Sequence, residues 1–419
     1  MSLHPKPIGE IPEETRRIAQ TAFPKGNLYM KMRDELGTFY RDEDFEKLYP
    51  CNGQPAESPW RLALILVLQF AEGLSDRQAA EAVRARIDWK YALGLELSDP
   101  GFDYSLLSEF RDRLLSGSVE ELLLNKMLER FKALGYLKAR GKQRTDSTHV
   151  LSAVRQLNRL ESVGETLRAA LNSLAEAAPE WLREQITTDW FERYGRRVEE
   201  YRLPKGEQKR AEYGAQIGHD GFHLLTVIES EKAPPKLREL EAIKVLRRMW
   251  EHQFINEDGK VRWRPGKELA PAGERFDSPY DPKASFGNKG STTWVGYKVH
   301  LTETCDEDAA HLITDVKTTN ACLPDVEMGE PLQAARQQQI TPEWKKEYNR
   351  RAGIEGAISQ GTRAFGLRQA RYLGQAKTHL QNILTAAAIN IIRVIAWLDE
   401  IPHAKTRTSH FARLAPTPG

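Results

Sequence analysis

Cysteine is scarce in this chain of 419 residues: Cys51, Cys305 and Cys322 are the only three, and no two form a CxxC pair. An odd, widely spaced set is a poor disulfide framework and offers no structural zinc site, which points to a reducing, cytoplasmic setting. An apolar targeting segment is also lacking. The opening MSLHPKPIGEIPEETRR is polar, so no signal peptide is expected. No apolar run reaches the roughly 20 residues that span a bilayer. The most apolar stretch, 383–398, is flanked or interrupted by His379, Gln381, Asn382, Asn390 and Arg393, and reads as a buried helix. Charge of one sign is missing as well: Lys+Arg 61 against Asp+Glu 59 leaves +2. That balance does not exclude nucleic-acid binding; it requires any basic surface to be local. Repeats and low-complexity tracts are not evident.

What is present is enough for a sizeable core. The length is that of two to three domains. Hydrophobic residues make up 40% of the chain, with nine Trp, thirteen Tyr and fourteen Phe, which argues against overall disorder. Residues 1–26 read as a polar, Pro-containing extended arm. From 27 to 137 the pattern is helical. Pro59 opens a helix with apolar positions three and four apart, Gly73 ends it, and Ser75 caps the next. A further helix closes at Gly94, and Ser105 caps another. Short helices with tight Gly-containing turns fit a helix-turn-helix array, and fit a small helical bundle equally well.

Residues 142–150 change character and read as a strand bearing Asp146. Helix resumes over 151–197 with a heptad-like run (Leu157, Leu160, Val163, Leu167, Leu171, Leu174), and an amphipathic helix is expected over 237–250. The stretch at about 155–290 looks like an insertion with its own structure. Residues 293–302 alternate as a strand, 306–308 turn, and 312–319 return as the second strand of a hairpin. Helices are expected over 324–339, 343–360 and 377–398.

Tyr348, Arg351 and Glu355 fall at i, i+3 and i+7, on one helical face. Alone, that is a surface ion pair. Taken with Asp146 at a strand and a β-hairpin after it, it is one part of a carboxylate set drawn from separate elements, as metal-assisted phosphoryl transfer needs. Three other features read as decoys. His219-Asp-Gly-Phe-His223 spaces two histidines by four, but Gly221 argues against a helix and no H-E-x-x-H is present. Asp220-Gly-Phe lies before the hairpin. Phe286-Gly-Asn-Lys-Gly-Ser-Thr lacks P-loop order and reads as a turn.

RTDSTHV (144–150), WVGYKVHLTETCDED (294–308) and YNRRAGIEGAISQGTRAFGLRQARYLG (348–374) resemble the DDE transposases of bacterial insertion sequences, and the helical first third resembles their InsH-type N-terminal domain. The resemblance implies an α+β chain: a helical DNA-binding-type domain (27–137), an RNase H-like domain (138–398) carrying the insertion, and a basic tail (399–419). It implies Asp146 and Glu355 as catalytic, metal-holding carboxylates with Mg²⁺ or Mn²⁺. Tyr348, Arg351, Lys298, Arg363, Arg368 and Arg371 would face DNA, with Arg363 standing in for the motif's usual basic residue, since Thr362 holds that spacing. A solvated strand charge remains open for Lys298. The implied partners are DNA, both element ends and target, with no membrane; a homo-oligomer stays open. The implied location is cytoplasmic and nucleoid-associated.

One departure matters. The family's second Asp normally sits on a D-x-G-Y-type strand after the hairpin and the helix that follows it. Here the expected helix at 324–339 leads straight into the helix bearing Glu355, as if a block were deleted between about 331 and 339. Asp315 and Asp325 are the candidate replacements. From 341 to 419, twelve basic residues stand against five acidic, a local excess suited to phosphate neutralisation. The expectation is an insertion-sequence transposase with impaired cleavage. A DNA-binding remnant without catalysis and an RNase H-like nuclease are the alternatives.

Overall fold

The computed structural model describes residues 1–138, 141–154, 157–257, 259–271, 278–289, 292–306, 308–323 and 353–401. The chain divides into two compact units. One comprises Met1–Arg144, Thr302–Thr314 and Leu384–Gly419; the other comprises Thr145–Leu301 and Asp315–Ile383.

In the first unit the helices are α1 (Glu13–Ala22), α2 (Leu28–Lys31), α3 (Pro59–Glu72), α4 (Asp76–Ala85), α5 (Ile87–Leu93), α6 (Ser105–Ser116) and α7 (Leu122–Ala133). The extended arm expected for 1–26 is corrected by α1. Ile11, Thr15 and Ala19 recur every four residues and are buried, and the Thr15 hydroxyl donates to the Leu95 carbonyl at 2.8 Å. The polar composition hid a narrow packing stripe. Helix α3 begins with Pro59 and ends at Gly73 in the left-handed conformation, φ 70°. It is buried almost all round, which explains its unbroken apolar sequence. Ser75 caps α4 in a reciprocal box with Gln78. Ser105 is instead the first residue of α6, and the Asp103 carboxylate accepts its N–H at 2.9 Å.

The second unit holds the helices α8 (Arg159–Ala177), α9 (Pro179–Gln185), α10 (Thr188–Tyr194), α11 (Glu207–Glu229) and α12 (Glu241–Gln253), followed by the hairpin β2 (Phe254–Glu257) and β3 (Lys260–Trp263). Their common core includes Leu160, Val163, Leu167 and Leu174 of the heptad-like run with Leu246, Met249 and Trp250. Each such side chain contributes about 1.5–3 kcal/mol by leaving water. Gly221, read from sequence as a helix breaker, lies inside α11. A Cβ there would sit 2.1 Å from the Trp250 ring. The glycine makes room for the indole, whose Nε1–H donates to the Gly218 carbonyl at 2.9 Å.

The main sheet is four-stranded. It contains β1 (Gln143–Leu151, numbered ahead of the insertion in chain order), β4 (Ser285–Lys289), β5 (Thr292–Thr304) and β6 (Ile313–Asn320); β5 pairs with the other three. Phe286-Gly-Asn-Lys is therefore part of an antiparallel strand, with Ser285 opposite Gly296 and Lys289 opposite Thr292, and not a turn. Gly296 is required by close approach: a Cβ would lie 2.1 Å from the Val150 carbonyl. Two helices follow, α13 (Ile354–Phe365) and α14 (Gln375–Leu398). Among the described residues α14 is the one helix long and apolar enough to cross a membrane, but most of it is buried within the protein. Its Asn390 amide accepts from the Ile313 N–H at 2.7 Å and donates to the Ile313 carbonyl at 2.8 Å, completing the strand's hydrogen bonding.

Candidate active site

Within the second unit, β1, the β4–β5 hairpin and α13 line a cleft of about 490 Å³. Asp146 enters from β1 and Glu355 from α13. Lys289, Thr292, His149, Thr362, Arg363 and Arg368 also line it. Two carboxylates from separate elements thus open onto one space with three cationic side chains. Asp146 is half-buried and Glu355 exposed.

The cationic wall acts on its neighbour. Burial pushes the His149 pKa below its ordinary value, and the charges of Arg368 and Lys289 add to that effect. The His149 ring leans on Trp294 at 5.3 Å between centroids. Arg368 is braced by its Nε–H, which donates to the Thr148 hydroxyl at 3.0 Å.

Other expected site residues lie elsewhere. Lys298 is corrected: it is buried, and its ammonium donates to the Leu323 carbonyl at 2.7 Å. Residues 296–301 of β5 are buried without a break, so both faces of the strand are covered and its alternation did not mark exposure. Asp315 is exposed on β6 and is not among the cleft residues. Arg371 is exposed and lies beyond the cleft lining; its N–H donates to Gln381. Tyr348, Arg351 and Asp325 lie outside the described residues, as do the expected helix at 324–339 and the junction of the expected deletion. His219 and His223 share a face of α11, but His223 Nε2 lies 3.1 Å from the Gln185 carbonyl. No group of three or more His, Cys, Asp or Glu among the described residues forms a metal cluster.

Sequence reasoning missed Lys289 and His149. Lys289 lay in a segment noted as phosphate-friendly and set aside as a turn. His149 is three residues from Asp146, but nothing in the pattern of β1 placed it at the cleft.

As oxygen donors, Asp146 and Glu355 suit a hard divalent cation. Mg²⁺ takes one or two carboxylates and keeps several waters, so the donor types present would suit one such ion.

Residues 18–113 match a transposase domain (DUF772), and residues 286–395 match a transposase DDE domain. The second stretch contains Glu355, Arg363, Arg368 and Lys289, whereas Asp146 lies outside both. No curated protein and no solved structure matches the chain. A transposase domain in the helical first third and a DDE domain running from β4 to the closing helices support a DDE transposase of insertion-sequence type, a polynucleotidyl-transferase family.

Proposed function

We propose that this chain binds DNA as an insertion-sequence transposase, that the cleft between Asp146 and Glu355 receives a phosphodiester, and that strand cleavage is impaired. The observation that carries the reading is that Asp146 and Glu355 line one cleft together with Lys289, Arg363 and Arg368. A phosphodiester is anionic, and the two carboxylates alone would repel it. The three cations offset that repulsion and hold the backbone in place. A divalent ion held by Asp146 and Glu355 would supply further charge neutralisation and Lewis acidity at the phosphorus.

An RNase H-like arrangement is the fold reading we favour for the DDE part. It is supported by the order of a strand carrying the first Asp, a long antiparallel hairpin and a later helix carrying the Glu. Impairment is inferred from the sequence of 324–352, which has no β-branched or alternating run to carry the second Asp. Two carboxylates can hold one ion. A second ion would lack its bridging ligand, and a loosely held carboxylate costs about 10²-fold per 1 Å of misplacement. Arg351 and Tyr348 are proposed to face the same phosphates. DNA is the proposed partner, and the cytoplasm the proposed location.

Duplex DNA titrations at several salt concentrations test the binding half. The slope of log K against log[salt] should become shallower by roughly 0.9 for each phosphate contact removed, as in Arg363→Ala and Lys289→Ala. An affinity that ignores salt, or no affinity at low salt, contradicts the proposal.

A further inference from the structure

We propose that Gln381, on α14 and outside the cleft, is a positioning residue that sets Arg368 against DNA phosphate; this rests on the reading of the cleft given above. The chain leaves α13 through Gly366 in the left-handed conformation, φ 64°. Leu367 then turns inward, fully buried, and its N–H donates to the Gly361 carbonyl at 3.0 Å. A Cβ on Gly361 would sit 2.9 Å from the Leu367 side chain, so the end of the Glu355 helix is shaped to receive it.

The next residues form a short strap lying parallel to the end of β1, with Gln369 opposite Leu151. The Leu151 N–H donates to the Arg368 carbonyl at 2.8 Å, and the Ala370 N–H donates to the Leu151 carbonyl at 2.8 Å. Those bonds use one edge of the strap. Its other edge presents the Gln369 carbonyl and the Arg371 N–H, and one side chain serves both. Gln381 Nε2 donates to the Gln369 carbonyl at 2.7 Å, and Gln381 Oε1 accepts from the Arg371 N–H at 2.7 Å. A primary amide carries donor and acceptor side by side, as a neighbouring strand would. Gln381 is itself 1% exposed, so its bonding pattern is fixed by the surrounding packing.

Arg368 therefore sits where three elements are tied together. Its carbonyl is held by the strand of Asp146, and its neighbours are held by α14. Its approach is set by the turn that ends the helix of Glu355, and Thr148 braces its guanidinium within the cleft wall. A preorganised cation loses less freedom when it grips a phosphate than a mobile surface arginine does.

Gln381→Met keeps the side chain's size and removes both bonds; Gln381→Glu keeps the acceptor and loses the donor. The full chain and both variants are compared with Arg368→Ala and with the Arg368→Ala/Gln381→Met pair. The measurements are duplex DNA affinity across salt and amide exchange at residues 366–373. Gln381→Met should speed exchange at Ala370 and Arg371 and leave β4 and β5 unchanged. Its salt slope should fall by about 0.9, the same as for Arg368→Ala. The double variant should lose no more than Arg368→Ala alone, and Gln381→Glu should fall between. A Gln381→Met protein that binds with the parent's affinity and slope overturns the inference alone. So does a double variant whose losses add. A parent chain with no salt-dependent DNA affinity overturns the proposed function and the role of Arg368 with it.

Discussion

Arg144 meets Glu303 at 2.6 Å, and Arg393 reaches the other oxygen of the same carboxylate at 2.7 Å. The Glu303 side chain is 1% exposed and the two guanidinium groups 12% and 16%. This pins the first residues of β1 and the last of β5 to α14. Removing one member of a buried ionic set costs about 3–5 kcal/mol, because the charges left behind stay desolvated. Glu303→Ala should lower unfolding free energy by that amount in urea titrations. A loss below about 1 kcal/mol, the level of a surface pair, would show that the arginines find other anions or water.

Gly221 and Trp250 set up a test in which two effects oppose. On helix propensity alone, Gly→Ala inside α11 should stabilise by about 1 kcal/mol. The new Cβ would lie 2.1 Å from the indole ring, however, and overpacking of this kind costs about 1–3 kcal/mol. Packing should win, so Gly221→Ala should melt at a lower temperature than the parent. A raised melting temperature would mean that the Trp250 seat yields easily.

The depressed pKa of His149 gives a pH dependence with a defined sign. Burial, with Arg368 and Lys289, disfavours its proton in the folded protein. As pH falls below the ordinary histidine value near 6.5, the unfolded chain gains that proton first, so stability contributed by neutral His149 is lost toward acid. A phosphate entering the cleft does the opposite and favours the imidazolium. DNA binding should therefore take up a proton, and affinity should rise as pH is lowered from about 8 to about 6 at constant ionic strength. His149→Gln should flatten that dependence. An unchanged profile in the variant would place the phosphate away from His149.

Much of this architecture was readable from local pattern. The caps at Ser75, Gly73 and Gly94, the strand at Asp146, the β5–β6 hairpin and the buried closing helix all follow from hydrophobic period and turn chemistry. Errors arose where long-range packing decided. Gly221 is a helix residue because Trp250 needs its missing side chain. Lys298 is buried because both faces of β5 are covered, which a single strand's alternation cannot reveal. Residues 1–26 hide α1 because Thr15 and Ala19 are the only buried residues of that helix. Lys289 reached the cleft by strand pairing, and Arg368 by a strap that pairs with Leu151, remote in sequence, and bonds Gln381 of the following helix. Asp146 and Glu355 could be nominated from motif, but their shared cleft required the fold.

A nicking and strand-transfer assay on duplex DNA, in Mg²⁺ or Mn²⁺, decides whether this chain binds DNA without cleaving it. The parent chain is run beside Asp146→Ala and Glu355→Ala, with retained DNA measured in the same samples. The parent should hold DNA and cleave it near background, with neither variant lowering cleavage further. Robust cleavage by the parent that disappears in both variants would contradict it. That result would mean a further carboxylate completes the site, and alanine substitution at Asp315 and Asp325 would identify whether either does.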